Sequence, residues 1–93
     1  MDMRFEWDES KRRLNLHRHG IDFWDVPQVF DGDTVTMEDT RLDYGETRYI
    51  TLGLLRAHVV VVVHTDRKDA IRIISARKAT KYEEKTYFEH LAN

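Results

Sequence analysis

The residues of this chain best suited to chemistry are arginines placed at the ends of apolar runs. Arg77 and Lys78 follow the run Ala70 to Ser75, Arg72 lies inside it, and Arg48 opens an earlier run ending at Leu55. A guanidinium is a planar fork that holds two phosphate oxygens at once, so Arg77, Arg72 and Arg48 suit a phosphate clamp. Lys78 and Arg67 can add single charges. Two residues could move protons: Glu46, two positions before Arg48, and His19, a side chain of the type that titrates near neutral pH. Each has a plainer reading. Arg72 and Arg77 could form an ion pair with Glu46 or with a carboxylate on the last helix. Glu46 could be a turn residue or could orient Arg48. His19 directly precedes Gly20, where a cation complements a helix C-terminus, and we favour that structural role. Trp7 offers a π-face for a base, although an indole on an edge strand is more often a core anchor.

These residues need elements to hold them. Val59 to Val63 are five consecutive β-branched residues, which suit a strand and not a helix. A run apolar at both parities predicts a central strand covered on both faces. The polar stretch Thr65 to Asp69 then links it to a second strand from Ala70 to Ser75, as a hairpin without glycine. In that second strand Arg72 points away from Ile71 and Ile73. Arg48 to Leu55 reads as a further strand, joined to the valine run by Arg56-Ala57. Met3 to Trp7 reads as a short edge strand. Asp8 caps a helix over residues 9–19, which Gly20 stops. Asp22 caps a shorter helix with Phe23, Trp24, Val26, Val29 and Phe30 available for burial. Pro27 falls beyond the first turn of a helix starting at Phe23, so that helix kinks or begins nearer Pro27. Thr80 and Glu83 form a capping box for a last helix reaching about His90, with Tyr82, Tyr87, Phe88 and Leu91 on its buried side.

Residues 31–47 are polar and turn-rich, with a short strand at Thr34 to Met37. Asp31, Asp33, Glu38, Asp39 and Asp43 lie there without an EF-hand spacing and read as solvated. His17 and His19 lack the i, i+4 spacing of two ligands on one helical face, so we expect no metal site. His58 and His64 bracket the valine run at one parity and are placed at strand ends. No cofactor motif occurs: there is no glycine-rich phosphate loop and no nucleophile turn. The element order, β-α-α-β-β-β-β-α, predicts an α+β fold with a four- to five-stranded, mostly antiparallel sheet, two N-terminal helices and a C-terminal helix.

Ninety-three residues make one domain, read here over 1–93. Without cysteine there is no disulfide framework, and no apolar run approaches the ~20 residues that span a bilayer. We therefore expect a soluble, cytoplasmic protein with no membrane partner. The net charge of −2 hides an asymmetry: residues 1–46 carry six Lys/Arg against twelve Asp/Glu, and residues 47–93 carry nine against five. A basic half can present a patch to a phosphate backbone even when the whole chain is nearly neutral.

Several segments, taken in order, resemble the BrnT family of type II toxins. They are Phe5 to Lys11 (FEWDESK), Asn15, Arg18-His19-Gly20-Ile21, Phe23, Val29-Phe30, Gly45-Glu46 with Arg48, Gly53, and Arg72 with Ile74 to Thr80. The resemblance runs from Phe5 to about Tyr87. It implies a RelE-like fold and a ribosome-independent ribonuclease that inhibits translation and is neutralised by a BrnA-like ribbon-helix-helix antitoxin. It also implies an RNA substrate, a hetero-oligomer with antitoxin dimers, and operator DNA contacted only through the antitoxin. Two positions depart from the family. Arg18 stands where the family usually has Lys, which keeps the charge but removes proton transfer. Pro27 replaces a helix-friendly residue.

Cleaving RNA without a metal requires three things: a base for the 2′-hydroxyl, fixed positive charge for the pentavalent phosphate, and an acid for the leaving oxygen. On this reading Arg77, Arg48 and Arg72 stabilise the phosphate and Glu46 or His19 moves protons. Arg18, Lys78, Trp7 and Arg67 bind RNA. The alternative is a partner module, catalytically weak or inactive, that binds the antitoxin and co-regulates its operon.

Overall fold

The five valines form the middle of a sheet. The computed structural model describes residues 3–93, so of the domain only Met1 and Asp2 lie outside the described residues. The described residues form five strands: β1 (Arg4–Glu6), β2 (Thr34–Asp39), β3 (Arg48–Leu55), β4 (His58–Arg67) and β5 (Ala70–Lys78). They lie in the order β1-β5-β4-β3-β2, with β1 parallel to β5 and the other three pairings antiparallel. Helix α1 spans Glu9–His19, α2 spans Pro27–Asp31 and α3 spans Lys81–Ala92. The fold is α+β, as the element order implies.

The parity of β4 divides the core into two. Val60 and Val62 pack with Ile21, Phe23, Val26, Val29, Leu55, Ile73 and Ala76, under the chain between α1 and β2. Val59 and Val61 pack with Leu52 and Tyr87, under α3. Burying both parities of one strand requires cover on both faces, and α3 covers only part of its face. Tyr87 is its sole buried residue. Tyr82, Phe88 and Leu91, expected inside, are 71%, 51% and 42% exposed, because α3 meets the sheet chiefly through Tyr87.

Local chemistry sets the boundaries. Asp8 accepts hydrogen bonds from the Ser10 and Lys11 amides at the start of α1, and Gly20 closes it with φ of 72°. Asp22 caps only a 3-10 turn, Phe23–Asp25, and α2 starts afresh with Pro27 in its first turn, where the missing N–H costs nothing. Trp24, expected inside, is 67% exposed on that turn. β2 continues to Asp39, past the expected Met37. β4 runs on to Arg67, so the hairpin connection is only Lys68-Asp69. Neither residue has positive φ, so the turn is not of the primed type that glycine would favour. At the β3–β4 turn the positive φ falls on Arg56, at 56°.

Gly53 marks a close approach. A Cβ there would meet Val29 Cγ1 at 2.6 Å, so its absence lets α2 settle on β3.

Candidate functional site

β5 carries one residue too many for its partner. Val63 pairs with Ser75 but His64 pairs with Ile73, which leaves Ile74 as a bulge. Strict alternation would put Arg72 and Arg77, five positions apart, on opposite faces. The bulge resets the parity. Arg72 stands opposite Thr65 and Arg77 opposite Val61, two residues of equal parity on β4, so both arginines share the face that α3 partly covers.

That face holds a charged row across the sheet. Asp39 pairs with Arg48, Arg72 pairs with Thr65, and Glu6 pairs with Arg72. Arg48 lies one step beyond the paired Tyr49 and His64, which sets it beside Thr65. Thr65 confirms the alignment by donating its hydroxyl to Thr47 O at 2.7 Å. Arg48 and Arg72 thus flank β4, two strand spacings or about 10 Å apart. Arg67, two residues past Thr65, shares their parity and is exposed. Arg77 is not their immediate neighbour: Val61 and Thr65 are separated by about 13 Å of strand. Between the two levels lies an apolar floor of Met37, Ile50 and Val63.

Each arginine is held differently. Arg77 is gripped by Glu83 of α3, at 2.8 and 2.9 Å through both guanidinium ends. This is the ion pair with the last helix that its plainer reading foresaw. Glu83 is itself fixed by the capping box with Thr80. The Arg77 bonds bring its carboxyl down to about 2 and raise the Arg77 pKa, although the like charge of Arg41 opposes the latter. Arg48 meets Glu46 at 3.3 Å and lies 4.0 Å above the Tyr44 ring. Arg72 reaches Glu6 only at 3.5 Å and is the least committed of the three.

The loop after β2 supplies a cation that sequence reasoning missed. Asp39 is not solvated, as expected, but 5% exposed. It accepts two bonds from the Arg41 guanidinium (2.8 and 2.9 Å) and one from the Tyr44 hydroxyl (3.2 Å). The Arg41 bonds hold its carboxyl far below the usual range. Asp39 therefore fixes Arg41, and through Tyr44 it fixes the ring under Arg48. The only sequence signal was a run of carboxylates around one arginine and one tyrosine.

The remaining candidates separate. Arg18 and His19 are exposed at the end of α1 and line a cleft with Lys11, Leu14, Asn15, Ile74 and Ser75. Its cations have no carboxylate among the lining residues, and it opens on β5 between Arg72 and Arg77. Lys78 has the parity of Val60, away from Arg77, and lines a different cleft with His58 and Arg56. Trp7 donates to Glu9 at 3.3 Å and packs edge-on to Phe23 and Trp24, which makes it an anchor. Trp24 is the indole left with an open face.

His64 is not at a strand end. It is 2% exposed inside β4, between Phe30 and Tyr49. A chain of bonds runs from Thr36 to Thr51 (2.8 Å), to His64 Nε2 (2.7 Å), and from Nδ1 to Asp66 (2.9 Å). With Asp66 ionised, Nδ1 carries the proton and Nε2 accepts from Thr51. Burial lowers the pKa of His64, with Asp66 working against it. Thr51 has no exposed surface, so this chain is structural.

A family model described as the ribonuclease toxin, BrnT, of type II toxin–antitoxin systems matches residues 7–83. Among solved structures, the crystal structure of the Brucella abortus ribonuclease toxin, BrnT, is similar, with a TM-score of 0.70 and 28% identity. The match covers 86% of this chain and 100% of that one. No curated protein sequence matches.

Proposed function

Since the chain belongs to the BrnT family of ribonuclease toxins of type II toxin–antitoxin systems, we propose that it cleaves RNA on the arginine-bearing face of its sheet without a metal. One observation carries this reading: the β5 bulge that gathers Arg72 and Arg77 on the face of Arg48 and Arg67. Fixed cations beside a reacting phosphate stabilise the charge it gathers, and fixed orientation spares reorganisation during the reaction. Arg72 and Arg48 would clamp the phosphate, with Arg41 and Arg77 adding charge along the strand. The apolar floor of Met37, Ile50 and Val63 would receive a base. Glu46, beside Arg48, is the candidate base, and His19, in the cleft at Ser75, is the candidate acid. Arg18 and Lys11 extend the positive charge into that cleft. Lys78 and Trp7 have no part in this site.

The consequence would be loss of translation through destruction of RNA. Neutralisation would come from a ribbon-helix-helix antitoxin, with operator DNA reached through that partner. The setting would be the cytoplasm; no helix among the described residues is long and apolar enough to cross a membrane.

The test is incubation of the antitoxin-free chain with structured RNA in excess EDTA. Cleavage is expected to persist in EDTA and to fall 10²- to 10³-fold in Arg72→Ala, the typical loss for one stabilising donor. Circular dichroism should be unchanged. Full activity in Arg72→Ala would remove that residue from the mechanism. A folded parent that cleaves nothing, with or without divalent ions, would leave a partner module.

A further inference from the structure

We propose that the outer edge of β2 is the docking site for a basic, extended segment of the partner antitoxin, which joins the sheet as a sixth strand. This rests on the toxin–antitoxin reading above. β2 is six residues long, pairs only with β3, and keeps an unbroken register over all six positions. Among the described residues no backbone hydrogen bond joins it to any other element. In an antiparallel pair about half of the strand's N–H and C=O groups point outward, and here nothing among the described residues receives them.

Edge strands are normally protected by shortness, proline, a bulge, or charged side chains, lysine above all. β2 has no proline, lysine or bulge, and its two charges, Glu38 and Asp39, sit together at its C-terminal end, which leaves Thr34 to Met37 without a charge. The chain can protect an edge, since it does so on β5. There Asn15 reaches across to bond both the N–H and the C=O of Ala76, at 3.1 and 2.9 Å. The open edge is therefore a selective feature of β2.

Charge selects the occupant. Asp31 ends α2, Asp33 directly precedes β2, Glu38 lies within it and Asp43 lies in the loop after it, and none is in an ion pair among the described residues. Asp39 and Glu46, by contrast, are neutralised by Arg41 and Arg48. A second copy of this chain would bring the same carboxylates against each other, which is unfavourable. A strand with Lys or Arg on alternate residues would be complementary, with the main-chain bonds supplying affinity and the charges supplying selection.

The probe is the antitoxin co-encoded with the chain. The chain variant is Asp33→Lys with Glu38→Lys: Glu38 takes the parity of Tyr49 and His64, away from the arginines, and Asp33 precedes the strand. Three results are expected. The double variant cleaves RNA like the parent. Its Kd for the antitoxin is at least tenfold weaker at 0.05 M salt, and the gap narrows at 0.5 M as screening sets in. In the parent complex, amide hydrogen exchange slows across residues 34–39. Unchanged exchange there, or equal affinity of parent and double variant, would overturn the proposal. So would a free chain that is a dimer with those amides already protected. A parent that fails to cleave RNA would sink the ribonuclease reading instead, because the affinity and exchange results are read independently of cleavage.

Discussion

Beyond the three residues of β1, the outer edge of β5 is closed by a side chain, whereas among the described residues no backbone bond closes the outer edge of β2. Asn15 makes the difference. Its amide mimics one more residue of strand: Nδ2 donates to Ala76 O and Oδ1 accepts from Ala76 N–H, while Nδ2 also donates to Ile21 O at 3.0 Å. One buried amide thus satisfies the sheet and the turn after α1 together. The β2 edge has the same need and no such residue. A fold that spends a buried asparagine on one edge and leaves the other without a backbone partner, up to the point where Arg41 and Tyr44 close over Asp39, has placed its vulnerability where a partner can use it.

The largest predicted effect comes from undoing the closed edge. Asn15→Ala leaves Ala76 N–H, Ala76 O and Ile21 O without their partners in a buried site. At 1–3 kcal/mol for each unsatisfied group, partly relieved by water, about 3 kcal/mol of stability should be lost. For a domain of this size that lowers Tm by roughly 15 °C. A loss below about 1 kcal/mol in a denaturant titration would mean that α1 packing, not Asn15, closes the edge.

The next prediction concerns the support of the open edge. Gly53→Ala would drive a methyl group against Val29 Cγ1 at 2.6 Å and Thr34 Cγ2 at 3.3 Å. Val29 is buried, so α2 and the start of β2 must separate, at a cost of about 2 kcal/mol. The unfolding midpoint should shift accordingly. Smaller again is Tyr87→Phe. The Tyr87 hydroxyl donates to Asp33 O at 2.8 Å, fastening α3 to the residue just before β2. Its loss should cost about 1 kcal/mol, and exchange in α3 should quicken more than in β5.

Much of this molecule was legible in its sequence, and the illegible part has a common cause. The valine strand, the caps at Asp8, Gly20 and Thr80, and the sheet pairing through β3, β4 and β5 follow from local patterns. So does the shared chemistry of Arg48, Arg72 and Arg77. What did not follow is where parity and partners put each residue. The Ile74 bulge has no local signature, yet it decides that Arg72 and Arg77 face one way. Asp39 looked like one more loop carboxylate until Arg41 and Tyr44 closed over it. Trp24, Phe88 and Leu91 looked like core, because an apolar side chain does not announce that its helix meets the sheet on only one side. These are long-range or register effects, and a single sequence carries them only weakly.

The smallest predicted effect is also the one that crosses the sheet from the open edge. The chain Thr36–Thr51–His64–Asp66 ties β2 through β3 to β4, with Nε2 of the neutral His64 accepting from Thr51. The groups packed on that imidazole are Thr51 and Tyr49 from β3, Phe30 from α2 and Asp66 from its own strand, and burial keeps its folded pKa below the ordinary value. The sign follows. Near and below the unfolded pKa of about 6.5 the unfolded chain takes up the proton that the folded chain refuses, so stability falls as pH falls. Between pH 7 and 6 proton uptake by the unfolded chain lowers stability by at most about 0.7 kcal/mol on this account. His64→Gln keeps a polar side chain but cannot titrate, so it should lower stability at pH 7 yet flatten the pH dependence in that interval. Equal slopes for parent and variant would place the acid sensitivity in other groups. They would also leave the open edge coupled to the core by packing alone.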